Sequence, residues 1–146
     1  MKLFIVTSLF VLMSFSSFAA NVDCKDTRGN ILSGTVDQLK ATMKSNASKP
    51  QVMVTGVVAQ ILPEDHSGLP HQKYTISVDN QIKLMIVSNL DFGRIPLQVG
   101  QTLSVCGEYL KVGQGMIHWT HFDPHGGHAD GFTILNGTLY GDKETN

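Results

Sequence analysis

The sequence predicts an all-β domain with mainly antiparallel strands, and three observations support this class. Apolar and polar residues alternate along five separate segments. The first segment, residues 52–62, is long, rich in β-branched residues and interrupted by Gly56, which is typical of the bends in small barrels. The connections are irregular apart from one helical stretch near the N-terminus. These features favour a small five-stranded OB-fold-like barrel with one short N-terminal helix and a C-terminal hairpin. An open antiparallel sheet and a β-sandwich with a helix are the alternatives.

Residues 1–19 have the pattern of a signal peptide. Lys2 gives a positive start, residues 3–15 form an apolar run, and residues 17–19 supply a small-x-small cleavage motif. The run is too short to span a membrane comfortably. We therefore expect cleavage after Ala19 and export to the periplasm or the medium. The rest of the chain divides into an N-terminal segment, a barrel domain and a tail, at residues 20–50, 51–141 and 142–146.

The charge balance argues against a nucleic-acid partner. The chain carries 11 Lys and Arg against 12 Asp and Glu, and the basic residues are scattered, whereas proteins that bind phosphate backbones usually show a basic excess. We expect a small-molecule, envelope or extracellular ligand instead. The oligomeric state cannot be derived from the sequence.

Cys24 and Cys106 are the only cysteines. In an oxidising compartment they can form one disulfide that closes a loop of about eighty residues, worth on the order of 4 kcal/mol in the chain-entropy model. The alternative is two free thiols. Strand alternation supports the disulfide, because Leu103 and Val105 face inward and Cys106 therefore faces outward, toward the N-terminal segment.

The helix is predicted at residues 36–44. Thr35 and Gln38 have the spacing of a capping box, and Val36, Leu39 and Met43 follow at helical spacing. The strands come after Pro50, where the apolar period changes to two. We expect strands near residues 52–62, 72–78, 82–86, 101–110 and 116–121, with a terminal hairpin around the Asn-Gly turn at 136–137.

Four of the six histidines lie within residues 118–128, HWTHFDPHGGH. Histidine titrates near neutral pH and is the commonest metal ligand, so the clustering marks a candidate site. Alternation places Ile117 and Trp119 in the core and His118 outside the barrel. His118 and His121 can converge only if the strand bulges or ends between them.

Three interpretations of this segment remain open. In the first, His118, His121, Asp123 and His128 bind a divalent metal such as zinc, although their spacing matches no strong zinc motif. In the second, His71, His118 and His121 form a metal-free polar site for an anionic or sugar-like ligand. In the third, Asp123 and the histidines satisfy backbone groups of the loop and have a structural role.

From about Val52 to Tyr140 the chain resembles a bacterial family of small exported proteins called domain of unknown function 3465. The resemblance rests on His71-Gln72, Asn89-Leu90-Asp91, Gly107-Glu108-Tyr109, His118-Trp119-Thr120-His121, Asp123-Pro124, His128 and Gly131.

The resemblance implies that six side chains belong to one pattern and meet in space: His71, Glu108, His118, His121, Asp123 and His128. It implies no reaction. This chain departs from the pattern at Phe132, where Trp is expected, and at His125, where a basic or variable residue is expected. The N-terminal helix and Cys24 lie outside the stretch that carries the resemblance.

These observations lead to three functional hypotheses. The first is an exported OB-like ligand-binding protein with a histidine-rich polar site, which holds its ligand with or without a divalent metal. The second is a metal-dependent or His/Asp acid–base hydrolase of a phosphodiester or glycan. This is the enzyme class that remains, because the chain has no phosphate-binding Gly-rich loop, serine elbow or dinucleotide fingerprint to indicate another. The third is an interaction module in which the histidine loop is structural.

Overall fold

The computed structural model of the chain describes residues 22–65 and 68–142. The predicted signal peptide and residues 143–146 of the predicted tail lie outside the described residues. The described elements are one helix, seven strands and a 3-10 turn at Leu90–Phe92. They are α1 (Val36–Lys44), β1 (Gln51–Asp65), β2 (His71–Val78), β3 (Ile82–Asn89), β4 (Thr102–Leu110), β5 (Met116–His118), β6 (Phe132–Leu135) and β7 (Thr138–Tyr140).

The strands form one mixed sheet in the order β1-β2-β3-β5-β4-β6-β7, and β1 also pairs with β4. The first five strands therefore close a ring. Every pair in the ring is antiparallel except β3 with β5. The predicted class, mainly β with one helix, is confirmed.

The long first strand closes the ring by changing partners along its length. Residues 51–57 pair with β4, and residues 57–65 pair with β2. Gly56 lies at this change, and a Cβ atom there would be 2.9 Å from the carbonyl oxygen of Ser77. The glycine predicted to mark a bend thus allows β2 to approach β1 closely.

The core fills the ring and extends under α1. Tyr74, Ile76, Leu84 and Ile86 are completely buried, and Leu39 joins them from the helix. The helix begins as predicted, because the Gln38 backbone N–H donates to the Thr35 hydroxyl. In the described chain no helix is long and apolar enough to cross a membrane.

The predicted disulfide is present. Cys24 and Cys106 are joined across a sequence separation of 82 residues, with 5.7 Å between their Cα atoms. Cys106 lies on the face of β4 opposite the main core, as the alternation predicted. There the two cysteines and Phe132 form a second buried cluster. The disulfide therefore attaches the N-terminal segment to the outside of the ring.

Candidate functional site

The strand that carries the histidine motif ends earlier than predicted. β5 stops at His118, and Trp119 has a φ of 53°, a left-handed conformation that is unusual for a bulky residue. The left-handed residue breaks the alternation on which the prediction rested. Ile117 is completely buried as expected, but Trp119 is half-buried and lines a cavity. The prediction that Trp119 lies in the core is therefore wrong.

Three glycines hold the turn at Trp119 in place by letting backbone pack against backbone. A Cβ atom added to Gly107 would lie 2.5 Å from the carbonyl oxygen of His118. A Cβ on Gly131 would lie 2.0 Å from the carbonyl oxygen of Trp119, and one on Gly141 would lie 2.5 Å from that of Thr120. No L side chain fits such gaps without moving the backbone. Sequence reasoning missed this role, because the contacts join segments far apart in the chain.

Asp123 organises the loop that follows. Its carboxylate accepts hydrogen bonds from the backbone N–H groups of His125, His128 and Gly127. The pKa of Asp123 is lowered to about 2, and the backbone hydrogen bonds from His125 and His128 are the largest causes. The Asp123 backbone N–H in turn donates to Asp130, at 2.9 Å. The carboxylate that was predicted as a ligand group is thus bonded to the loop backbone.

Five aromatic or imidazole contacts join the site into one continuous run of rings. The ring centroids are 5.5 Å apart for His71 and His118, 4.6 Å for His118 and Trp119, and 4.5 Å for Trp119 and His128. The run continues at 4.9 Å from His128 to His121 and at 4.0 Å from His121 to Phe92. The structure thus brings together the four histidines predicted as site residues.

Side-chain hydrogen bonds fix the backbone on either side of Phe92, which lies at the end of this run. The Gln72 side chain donates to the Ile95 carbonyl at 2.9 Å and accepts from the Ile95 N–H at 3.0 Å. Asn89 accepts from the Asp91 N–H at 2.9 Å and so caps the turn that carries Phe92.

Hydrogen bonds fix the orientation of two of the rings. The Nδ1 atom of His121 lies 2.7 Å from the Phe122 carbonyl, and that of His128 lies 2.8 Å from the Ala129 carbonyl. Because a carbonyl only accepts, each neutral ring carries its proton on Nδ1, and Nε2 is its basic nitrogen.

His118 is half-buried and stays neutral at physiological pH. Burial is the main cause that lowers its pKa to about 4, followed by the charges of His71, His121, His128 and Lys49. The ring is therefore uncharged at neutral pH and packs between His71 and Trp119.

A cavity of about 390 Å³ opens beside these rings; we call it the ring pocket. Of the six residues in the predicted pattern, Glu108, His121, Asp123 and His128 line it, while His71 and His118 adjoin it through Trp119. Lys49, Asn89 and Phe92 also line it. Lys49 and Phe92 were not predicted as site residues. Lys49 was missed because only the pairing of Gln51 with Glu108 shows that it lies beside β4.

A larger hollow of about 660 Å³ lies between the N-terminal segment and the histidine loop. Three of its four carboxylates, Asp26, Asp123 and Asp130, already accept backbone hydrogen bonds. Phe92, Trp119 and His121 line the ring pocket and not this hollow, so we take the ring pocket as the candidate ligand site.

Comparison with known families identifies the family of the chain. The family described as "Protein of unknown function (DUF3465)" matches residues 24–141. The chain belongs to this family. The match includes Cys24 and α1, so it reaches further toward the N-terminus than the sequence pattern indicated. No curated protein and no solved structure matches the chain.

The DUF3465 site shows no arrangement typical of a metal centre. Within residues 22–65 and 68–142, no group of three or more His, Cys, Asp or Glu side chains is placed to hold a metal ion. The Asp123 carboxylate faces backbone N–H groups, and the imidazoles contact one another and Trp119. The zinc site on His118, His121, Asp123 and His128 stays a prediction.

Proposed function

We propose that this DUF3465 protein is an exported ligand-binding protein and that the ring pocket binds a small organic ligand without a metal. The observation that carries the proposal is the convergence of Trp119, His121, His128 and Phe92 on one cavity of about 390 Å³. Ligand sites are usually clefts of about 300–1,000 Å³ with apolar walls and a few placed polar groups. Lys49 and Asn89 supply such polar groups here.

The ring of strands supports an OB-like barrel as the scaffold of this site. Its closed order, β1-β2-β3-β5-β4 and back to β1, is the order expected of a five-stranded OB-fold barrel. Residues that line the ring pocket include Asn89 at the end of β3 and Glu108 in β4, with Trp119 directly after β5. The barrel would thus bring distant segments together at one end.

The disulfide supports export, because such bonds persist mainly in oxidising compartments. N-terminal sequencing of the exported protein checks the signal peptide directly. We expect the mature chain to begin at Ala20, and a chain that still begins at Met1 outside the cytoplasm would contradict cleavage.

Trp119 offers a direct test of ligand binding, since it is the only tryptophan in the chain. We would titrate the mature protein with a set of small sugars, carboxylates, phosphates and aromatic fragments and follow the tryptophan fluorescence. At least one fragment should change the signal saturably. If no fragment in the set changes the Trp119 fluorescence, the proposal is wrong.

A matched pair of variants tests whether the pocket itself binds the fragment. Phe92→Leu alters the wall of the ring pocket, whereas Phe122→Leu makes the same change at a side chain that is 43% exposed and does not line it. The first variant should weaken binding of the fragment, and the second should leave it unchanged. Equal effects would place binding elsewhere.

A second candidate function, acid–base hydrolysis of a phosphodiester or glycan, is favoured by one observation. The ring centroids of His121 and His128 lie 4.9 Å apart. Each neutral ring keeps its proton on Nδ1, so each has a basic Nε2 atom for proton transfer. Chromogenic phosphodiesters and glycosides, with and without a chelator, test it. Turnover that His128→Gln abolishes would support hydrolysis, and no turnover under either condition would exclude these substrates.

A further inference from the structure

The ring pocket has a cationic side that no predicted site residue supplies. Lys49 directly precedes Pro50, whose carbonyl accepts from the Tyr109 N–H at 2.8 Å. This bond places Lys49 beside β4 and at the pocket. Lys49 is exposed, and none of the described carboxylates forms a salt bridge with it. Its charge is therefore available to a ligand.

Lys49 is the only lysine or arginine among the described residues that line the ring pocket. The Asp123 carboxylate at the same pocket is engaged by its own loop, because it accepts three backbone hydrogen bonds and lies 3.8 Å from the Nε2 atom of His128. An anionic group on a ligand would therefore meet Lys49 as its cationic partner.

Glu108 adds a second requirement. Its half-buried side chain lines the same pocket. A carboxylate accepts hydrogen bonds from hydroxyl groups, so a ligand that brings a hydroxyl group beside its anionic group would bond to Glu108 as well as to Lys49. The Asn89 amide and the half-buried Trp119 ring offer further polar and apolar contacts.

Building on the proposed ligand-binding function, we infer that the ligand is an acidic sugar of the uronate type. Its carboxylate pairs with Lys49, its hydroxyl groups bond to Glu108 and Asn89, and the apolar face of the sugar ring lies against Trp119. A neutral sugar leaves Lys49 unpaired, and a flat aromatic acid leaves Glu108 without a donor.

Three probe ligands separate these contributions. Methyl glucuronide carries both the carboxylate and the hydroxyl groups, methyl glucoside has the same ring without the charge, and benzoate has the charge without hydroxyl groups. We would measure each dissociation constant from the indole N–H resonance of Trp119. Methyl glucuronide should bind about tenfold more tightly than either of the others, the gain expected from one charge-assisted hydrogen bond.

A matched lysine pair tests the assignment of the carboxylate. Lys49→Gln should weaken the binding of methyl glucuronide only about three- to tenfold, because solvent partly screens the exposed ammonium group. The binding of methyl glucoside should stay unchanged, because this ligand has no carboxylate to pair with Lys49. Lys83→Gln removes the same charge from an exposed residue that does not line the pocket. It should change neither dissociation constant.

Each contrary result has a separate meaning. Equal binding of glucuronide and glucoside, or no effect of Lys49→Gln, overturns the anionic ligand. Tighter binding of benzoate overturns the hydroxylated ligand. If none of the three binds while another fragment still perturbs Trp119, the acidic-sugar inference fails and the proposed binding function stands. If no fragment perturbs Trp119, both fail.

Discussion

His118 should make the free energy of unfolding depend on pH between about 6.5 and about 4. Burial first, and then the positive neighbours His71, His121, His128 and Lys49, lower its pKa from 6.5 to about 4. Below pH 6.5 the unfolded chain protonates this ring while the folded chain does not. The neutral ring therefore contributes its full stability above the unfolded pKa, and this contribution is lost as the pH falls toward about 4.

The size of the loss follows from the two pKa values. An interval of about 2.5 at 1.36 kcal/mol per pKa unit gives roughly 3.4 kcal/mol as an upper bound. The His118 ring is only half-buried, and solvent screens its interactions, so we expect about 1–2 kcal/mol. Asp123 does not contribute in this window, because its pKa is lowered to about 2 and its stabilising effect is lost only below the ordinary carboxyl value of 3.8.

The assay is urea unfolding followed by circular dichroism at about pH 7.5 and about pH 4.5. The wild type should lose about 1–2 kcal/mol more than His118→Gln over this interval, because the variant has no ring to protonate. His125→Gln, at an exposed histidine of the same loop, should behave like the wild type. An acid loss in His118→Gln equal to that of the wild type would refute the reasoning.

Two further predictions concern the framework of the site. Gly131→Ala should destabilise the protein by about 3 kcal/mol or more, because the added Cβ would lie 2.0 Å from the Trp119 carbonyl. Gly127→Ala is the control and should cost far less in the same denaturation assay. The nearest neighbour of its added Cβ is a side-chain oxygen at 3.3 Å. Replacing Cys24 and Cys106 together by serine should lower the free energy of unfolding by roughly 4 kcal/mol, and a loss below about 1 kcal/mol would show that the loop closure contributes little.

The strands could be predicted because their signals are local, and the disulfide could be predicted because the chain has only two cysteines. Alternation located the strands, the Thr35 capping box located α1, and the parity of β4 placed Cys106 opposite the core. Ring closure was only an expectation, since it depends on β1 pairing with both β2 and β4. No local signal specifies two partners for one strand.

The site could be predicted only in part. The histidine count and the family pattern identified the imidazoles that now lie together. The sequence did not reveal that Trp119 turns left-handed and faces the pocket, because alternation assumes a regular strand. Gly131 and Gly141, which accommodate this turn, act through contacts with distant backbone. Lys49 was missed for the same reason.

The most direct test of the ring pocket as a ligand site is a proton–nitrogen correlation spectrum of the labelled mature protein, recorded during titration with the fragment that perturbs Trp119 fluorescence most. The largest shifts should fall on the Trp119 indole N–H and on the backbone amides of residues 125–128, with intermolecular NOEs to the indole ring. Shifts confined to residues 22–29 and 130–132, around the larger hollow, would contradict the account.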